Sequence, residues 1–99
     1  MVQRKSVRHE RLLREFGANI ARWRKINGFT AAELADRAFV TRETLRNVEA
    51  GTGAPRLDSI VAILAALGIA DTVVAAADPY SSPAARARID DYLNAGGSW

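Results

Sequence analysis

The chain has no cysteine, one histidine and only three prolines in 99 residues. Without cysteine there is neither a disulfide framework nor a thiolate to bind zinc, and the missing disulfides fit a cytoplasmic setting. The lone histidine, His9, lacks the partners that a Ser-His-Asp triad or a histidine metal site requires. Asp90 and Asp91 are adjacent and diverge by about 100° around a helix, which makes them poor joint ligands or a poor acid/base pair. There is no glycine-rich phosphate loop, no internal repeat and no low-complexity block. No apolar run approaches the roughly 18 to 20 residues of a membrane span. The opening MVQRKSVRHERLL is charged where a secretory signal would be apolar. The expectations are therefore no enzyme, no cofactor or metal, no membrane, and a cytoplasmic location.

What is present is a small helical chain with a biased charge. Hydrophobic residues make up 48% of it, enough for one core but not two. The net charge is +3, yet residues 1–25 hold eight Lys and Arg against Glu10 and Glu15, a local +6, whereas residues 26–99 carry six Arg against nine acids, a local −3. A basic end on a nearly neutral body suits an anionic partner, with nucleic acid first among candidates. The other reading is a solvated leader that serves solubility.

The chain is organised around TAAELADRAFVTRETLRNVEAG, residues 30–51. Thr30 and Glu33 form a capping-box pattern, and Leu34, Ala35 and Ala38 follow at helical spacing. After a turn at Phe39-Val40-Thr41, Thr41 is placed to cap a second helix. Its Leu45 and Val48 point inward while Arg42, Glu43, Arg46 and Asn47 point outward. Two helices joined in this way make a helix-turn-helix, in which the first props the second for a DNA groove.

The remaining elements follow in order. Residues 1–8 read as a flexible basic arm. A first helix over 9–27 carries Leu12, Leu13, Phe16, Ile20 and Trp23 as an apolar stripe, with Trp23 in the core, and Gly28 ends it. Thr52-Gly53-Ala54-Pro55 forms a link. A helix over 57–67 is apolar on more than one side and should be the central staff of the core, ending at Gly68. Ile69, Val73 and Val74 belong to a short fifth helix, and the last two helices offer a surface for self-association. In the tail, Ser82 and Pro83 start a short helix over 84–94. Gly96-Gly97-Ser98 then reads as a flexible spacer before Trp99, which is either a free aromatic anchor or folds back. The domain reading is 1–8 arm, 9–77 DNA-binding domain and 78–99 tail.

From Phe16 to Ile69 the chain resembles the phage-repressor-like, or XRE-type, helix-turn-helix family. The resemblance rests on Phe16-Gly17, Ile20, Trp23-Arg24, Gly28, Glu33-Leu34-Ala35, Val40-Thr41, Leu45, Val48-Glu49, Gly51, Pro55 and Ala65-Ala66-Leu67-Gly68. It implies an all-α fold: a five-helix repressor-like bundle, here with an additional short C-terminal helix, that binds double-stranded DNA as a homodimer. It also implies phosphate contacts from Thr41 and Thr44, base contacts from Arg42, Glu43 and Asn47, and an architectural pairing of Arg24 with Glu49.

Chemistry adds that Arg42 suits guanine, Asn47 adenine and Glu43 cytosine, while Arg46, Arg56 and the basic leader suit phosphates. Three departures stand out. Ala31 and Ala32 replace a glutamine that commonly holds a phosphate. Phe39 replaces a common glycine and requires either a left-handed aromatic residue or a rearranged turn. Arg56 replaces a small capping residue and could supply the lost phosphate contact. The function expected is a dimeric transcriptional repressor on an inverted-repeat operator. The alternative is an antitoxin resembling the HipB type, with a toxin protein as partner, and a third option is an interaction module without DNA binding.

Overall fold

In a computed structural model that describes residues 6–99, the described chain is all-helical, with six α-helices and no strand. They are α1 (Val7–Ile26), α2 (Ala31–Ala38), α3 (Arg42–Ala50), α4 (Leu57–Ala66), α5 (Ala70–Ala76) and α6 (Pro83–Asn94), with a single 3-10 turn at Pro79–Ser81. The helices form two compact units. One ends at Ile69 and contains α1 to α4, and the other is Ala70–Trp99.

Side-chain caps start the first three helices of the first unit. The Ser6 side chain accepts from the His9 backbone N–H at 3.0 Å, so α1 begins at Val7 rather than at His9. Val7 and Arg8, expected in a flexible arm, are therefore helical. Arg4 and Lys5 lie outside the described residues. Both halves of the capping box at α2 are made: Thr30 Oγ1 accepts from the Glu33 N–H at 3.1 Å, and the Thr30 N–H donates to Glu33 Oε1 at 3.0 Å. The hydrogen bonds from Thr30, backbone first, hold the Glu33 carboxyl below its ordinary pKa.

The core of this unit gathers Ile20 from α1, Leu34, Ala35 and Ala38 from α2, Leu45 and Val48 from α3, and Ile63, Leu64 and Leu67 from α4 and its end. Two glycines let the backbones of α1 and α3 close on each other. A Cβ on Gly17 would collide with the carbonyl oxygens of Val48 and Glu49. Gly51 ends α3 in the left-handed conformation at φ 71°, and a Cβ there would lie 2.6 Å from the Leu13 carbonyl oxygen. Asn27, past the end of α1, donates from its side chain to the Leu67 carbonyl at 3.3 Å, tying α1 to the end of α4.

Two expectations about the core need correction. Trp23 is 40% exposed and sits at the rim, not in the core. Helix α4 is covered on one side only: Ile63 and Leu64 are buried, but Leu57 is 74% exposed and Val61 lies open as well. Its ten residues pack mainly on α2, and unit one supplies no further helix for the opposite face.

In the second unit, α5 has no buried residue. Asp78 caps the 3-10 turn, and Ser82 caps α6 by accepting from the Ala85 N–H at 3.2 Å, with Pro83 as the first helical residue. Arg86 Nε donates to the Tyr80 carbonyl at 2.9 Å, which pins the turn to α6, and Ile89 is buried. The spacer expected to be flexible is tied down. The Tyr92 hydroxyl donates to the Ser98 carbonyl at 2.6 Å and accepts from the Ser98 N–H at 3.2 Å. Trp99 stacks on Tyr92, with ring centroids 5.3 Å apart and planes 28° from parallel, and meets Tyr80 edge-on at 6.4 Å.

Candidate nucleic-acid interface

Helix α3 presents a polar face. Thr41 caps it, its Oγ1 accepting from the Thr44 N–H at 3.0 Å and donating to Thr44 Oγ1 at 2.9 Å. The two hydroxyls expected on phosphates therefore stand side by side at the positive end of the helix, where an anion is favoured. Arg42, Glu43 and Arg46 are exposed and Asn47 is partly exposed. No side chain among these four has a hydrogen-bond or ion-pair partner among the described residues. Leu45 and Val48, one turn apart on the opposite face, are buried, so the polar face is held outward by its own core contacts.

Two open hollows flank this helix. One, on the α2 side, is lined by Ala31, Arg42, Leu45, Arg46 and Glu49. Ala31 contributes only a methyl group to its wall, where a glutamine is common. The other, on the α4 side, is lined by Thr44, Asn47, Ala54, Pro55, Arg56 and Ser59. It brings Arg56 together with Thr44 and Asn47, whereas Ala31, whose lost phosphate contact Arg56 was expected to supply, lines the other hollow. Arg56 occupies the N-cap of α4 without capping it and lies 3.6 Å from Asp58 in an exposed, weak pair, so its guanidinium is open to an anion. Glu43 lines neither hollow.

The outward face of α3 is fixed from behind by Arg24. Its Nε and Nη2 donate to Glu49 Oε2 and Oε1 at 2.8 and 3.1 Å, and its Nη1 donates to the Phe29 carbonyl at 3.1 Å. One side chain thus joins α1, the link before α2, and α3. The bond to Glu49 raises the Arg24 pKa against a smaller opposing effect of burial, so the charge is permanent. The link is held a second time by the Arg37 guanidinium, 4.5 Å from the centroid of the Phe29 ring. No sequence pattern marks that contact, which depends on how α2 returns over the link.

The turn between the two helices does not rearrange to accommodate Phe39. Phe39 takes φ 55° and ψ 40°, the left-handed region, at a strain of about 1 kcal/mol, and its N–H closes α2 by donating to the Ala35 and Asp36 carbonyls. Among the described residues no cluster of three or more His, Asp and Glu could hold a metal ion, and no helix is long and apolar enough to cross a membrane.

A family model described as helix-turn-helix matches residues 20–73, just over half of the chain. The match contains all of α2, α3 and α4 together with both hollows. That family is a DNA-binding regulatory one and not a family of enzymes. No curated protein and no solved structure matches the chain.

Proposed function

The chain belongs to the XRE-type helix-turn-helix family, and from that premise we propose that this DNA-binding transcription regulator is a cytoplasmic repressor. It acts as a homodimer on an inverted-repeat operator. The observation that carries the reading is the outward face of α3, where Arg42, Glu43, Arg46 and Asn47 are unpartnered while the helix behind them is locked by Arg24 and Glu49. Unpaired donors and acceptors on a helix held in place have no internal hydrogen bond to give up when they meet base edges.

In this reading the DNA-binding domain, put at residues 9–77 by the sequence, begins with α1 at Val7, and residues 78–99 form a tail. Arg42, Glu43 and Asn47 meet bases, and Thr41, Thr44, Arg46 and Arg56 meet phosphates. The two hollows receive the sugar-phosphate backbones on either side of α3. A dimer sets its two recognition helices roughly 34 Å apart, one turn of duplex.

The antitoxin alternative draws on the second unit, where Tyr80, Tyr92 and Trp99 form an exposed aromatic cluster of the kind that anchors protein partners. A gel shift with the DNA upstream of the chain's own coding region tests the repressor reading. Binding that survives an excess of random duplex, with a footprint related by two-fold symmetry, supports it. Binding that random duplex competes away on equal terms contradicts it. Co-purification with the product of a neighbouring kinase-like gene would favour the alternative.

A further inference from the structure

Phe39 has a use that neither the backbone nor the core supplies. Among the described residues it is the one non-glycine residue with positive φ. Its backbone N–H closes α2, but glycine does the same in this conformation without a strained side chain. Its ring is 95% exposed, more than any other large apolar side chain described, so it adds nothing to the core. An aromatic ring kept in solvent on a strained backbone is a candidate for a contact outside the folded chain.

Its place narrows the partner. Phe39 stands two residues before Thr41, the cap of α3, and is bracketed in sequence by Arg37 and Arg42, both exposed. The exposed charges on either side, Asp36, Arg37, Arg42 and Glu43, cancel, and the turn adjoins the Thr41 and Thr44 hydroxyls at the positive end of α3. It suits a surface with phosphates at its edges and an apolar group between them. In the major groove that apolar group is the 5-methyl of thymine.

We propose that Phe39 is a specificity-determining residue whose ring packs on a thymine methyl at the edge of the sequence read by α3. The inference rests on the DNA-reading function proposed above and adds to it the base preference of the turn.

Operators selected from a pool of random duplexes by the full chain and by Phe39→Gly test it, together with thermal melting of both. Glycine accepts the left-handed conformation, so the variant should melt at the same temperature or higher. The wild-type chain should select thymine at one position of each half-site, and Phe39→Gly should lose that preference alone. Replacing that thymine by deoxyuridine, which lacks only the methyl, should weaken the wild type about threefold to tenfold and leave the variant unchanged. Phe39→Asn, which also tolerates the left-handed region, should behave as the glycine variant does. A selective wild type whose thymine preference and deoxyuridine sensitivity persist in both variants overturns this inference and leaves the DNA reading standing. Lost self-association in the sedimentation of Phe39→Gly, with base preference unchanged, would assign the ring to a protein contact and overturn it equally. A wild type that selects no sequence overturns both readings.

Discussion

Arg24 and Glu49 meet across 25 residues of sequence through two parallel hydrogen bonds of 2.8 and 3.1 Å, with about one-sixth of each side chain exposed. The pair does more than close a gap. It braces α3 against α1 in the rotation that the buried Leu45 and Val48 set. Removing one partner leaves a charge in a partly apolar setting, although water reaches it and softens the loss. Glu49→Ala should therefore destabilise the fold by about 2 kcal/mol and lower the melting temperature by roughly 10 °C. An unchanged melting temperature would make the pair a surface decoration.

The capping box predicts how stability depends on pH. The Glu33 carboxyl is held below its ordinary value of 4.5 by the hydrogen bonds from Thr30. The lowered value in the folded chain means that this contribution is complete above the unfolded pKa and is lost as pH falls through the folded one. The stability difference between wild type and Glu33→Ala should thus be constant from about pH 6 to 7 and shrink steadily below about pH 4.5, followed by urea denaturation. A difference that grows on acidification would contradict the capping role.

Much of this was legible in the sequence because it is local. The capping box at Thr30, the cap at Thr41, the stop at Gly51 and the start of α6 at Ser82 and Pro83 each depend on residues within one turn of each other. The pattern of Leu45 and Val48 likewise assigned the inward face of α3 correctly. Trp23 and Leu57 were misplaced because a periodic stripe tells which face is apolar but not how far the neighbouring helices extend to cover it. The contact of Arg37 with Phe29, and the hollow above Ala31, arise where α2 crosses other segments, so no spacing announces them. The link at 96–98 reads as loose by composition, yet the Tyr92 hydroxyl satisfies both backbone groups of Ser98.

The stack of Trp99 on Tyr92 can be followed by fluorescence in a Trp23→Phe background, where Trp99 is the remaining tryptophan. Trp99 keeps 76% of its surface exposed, so acrylamide should reach it, but its motion should be restricted. Tyr92→Ala should lower its anisotropy and raise its quenching, with melting of the first unit unaltered. Identical signals in the two proteins would return Trp99 to the role of a free tether.

Salt separates DNA binding from protein docking. A dimer that neutralises about 6 to 10 phosphates should show log K falling against log salt with a slope of roughly −5 to −9. A nearly flat dependence would favour an interaction module. Arg46→Ala and Arg56→Ala should each shallow the slope by about 2 per dimer, one phosphate per subunit, without altering which sequence is preferred.

In the proposed function the outward face of α3 reads base sequence, and Arg42 is the residue on which this can be measured. Its guanidinium is exposed and unpartnered, on the first turn of the helix. The measurement is the affinity of wild type and Arg42→Ala for the selected operator and for random duplex, side by side at one salt concentration. A loss of roughly 1 to 3 kcal/mol is expected on the operator and much less on random DNA. Equal losses on the two duplexes would make Arg42 a phosphate contact, and no loss on either would contradict the reading of α3 as the recognition helix.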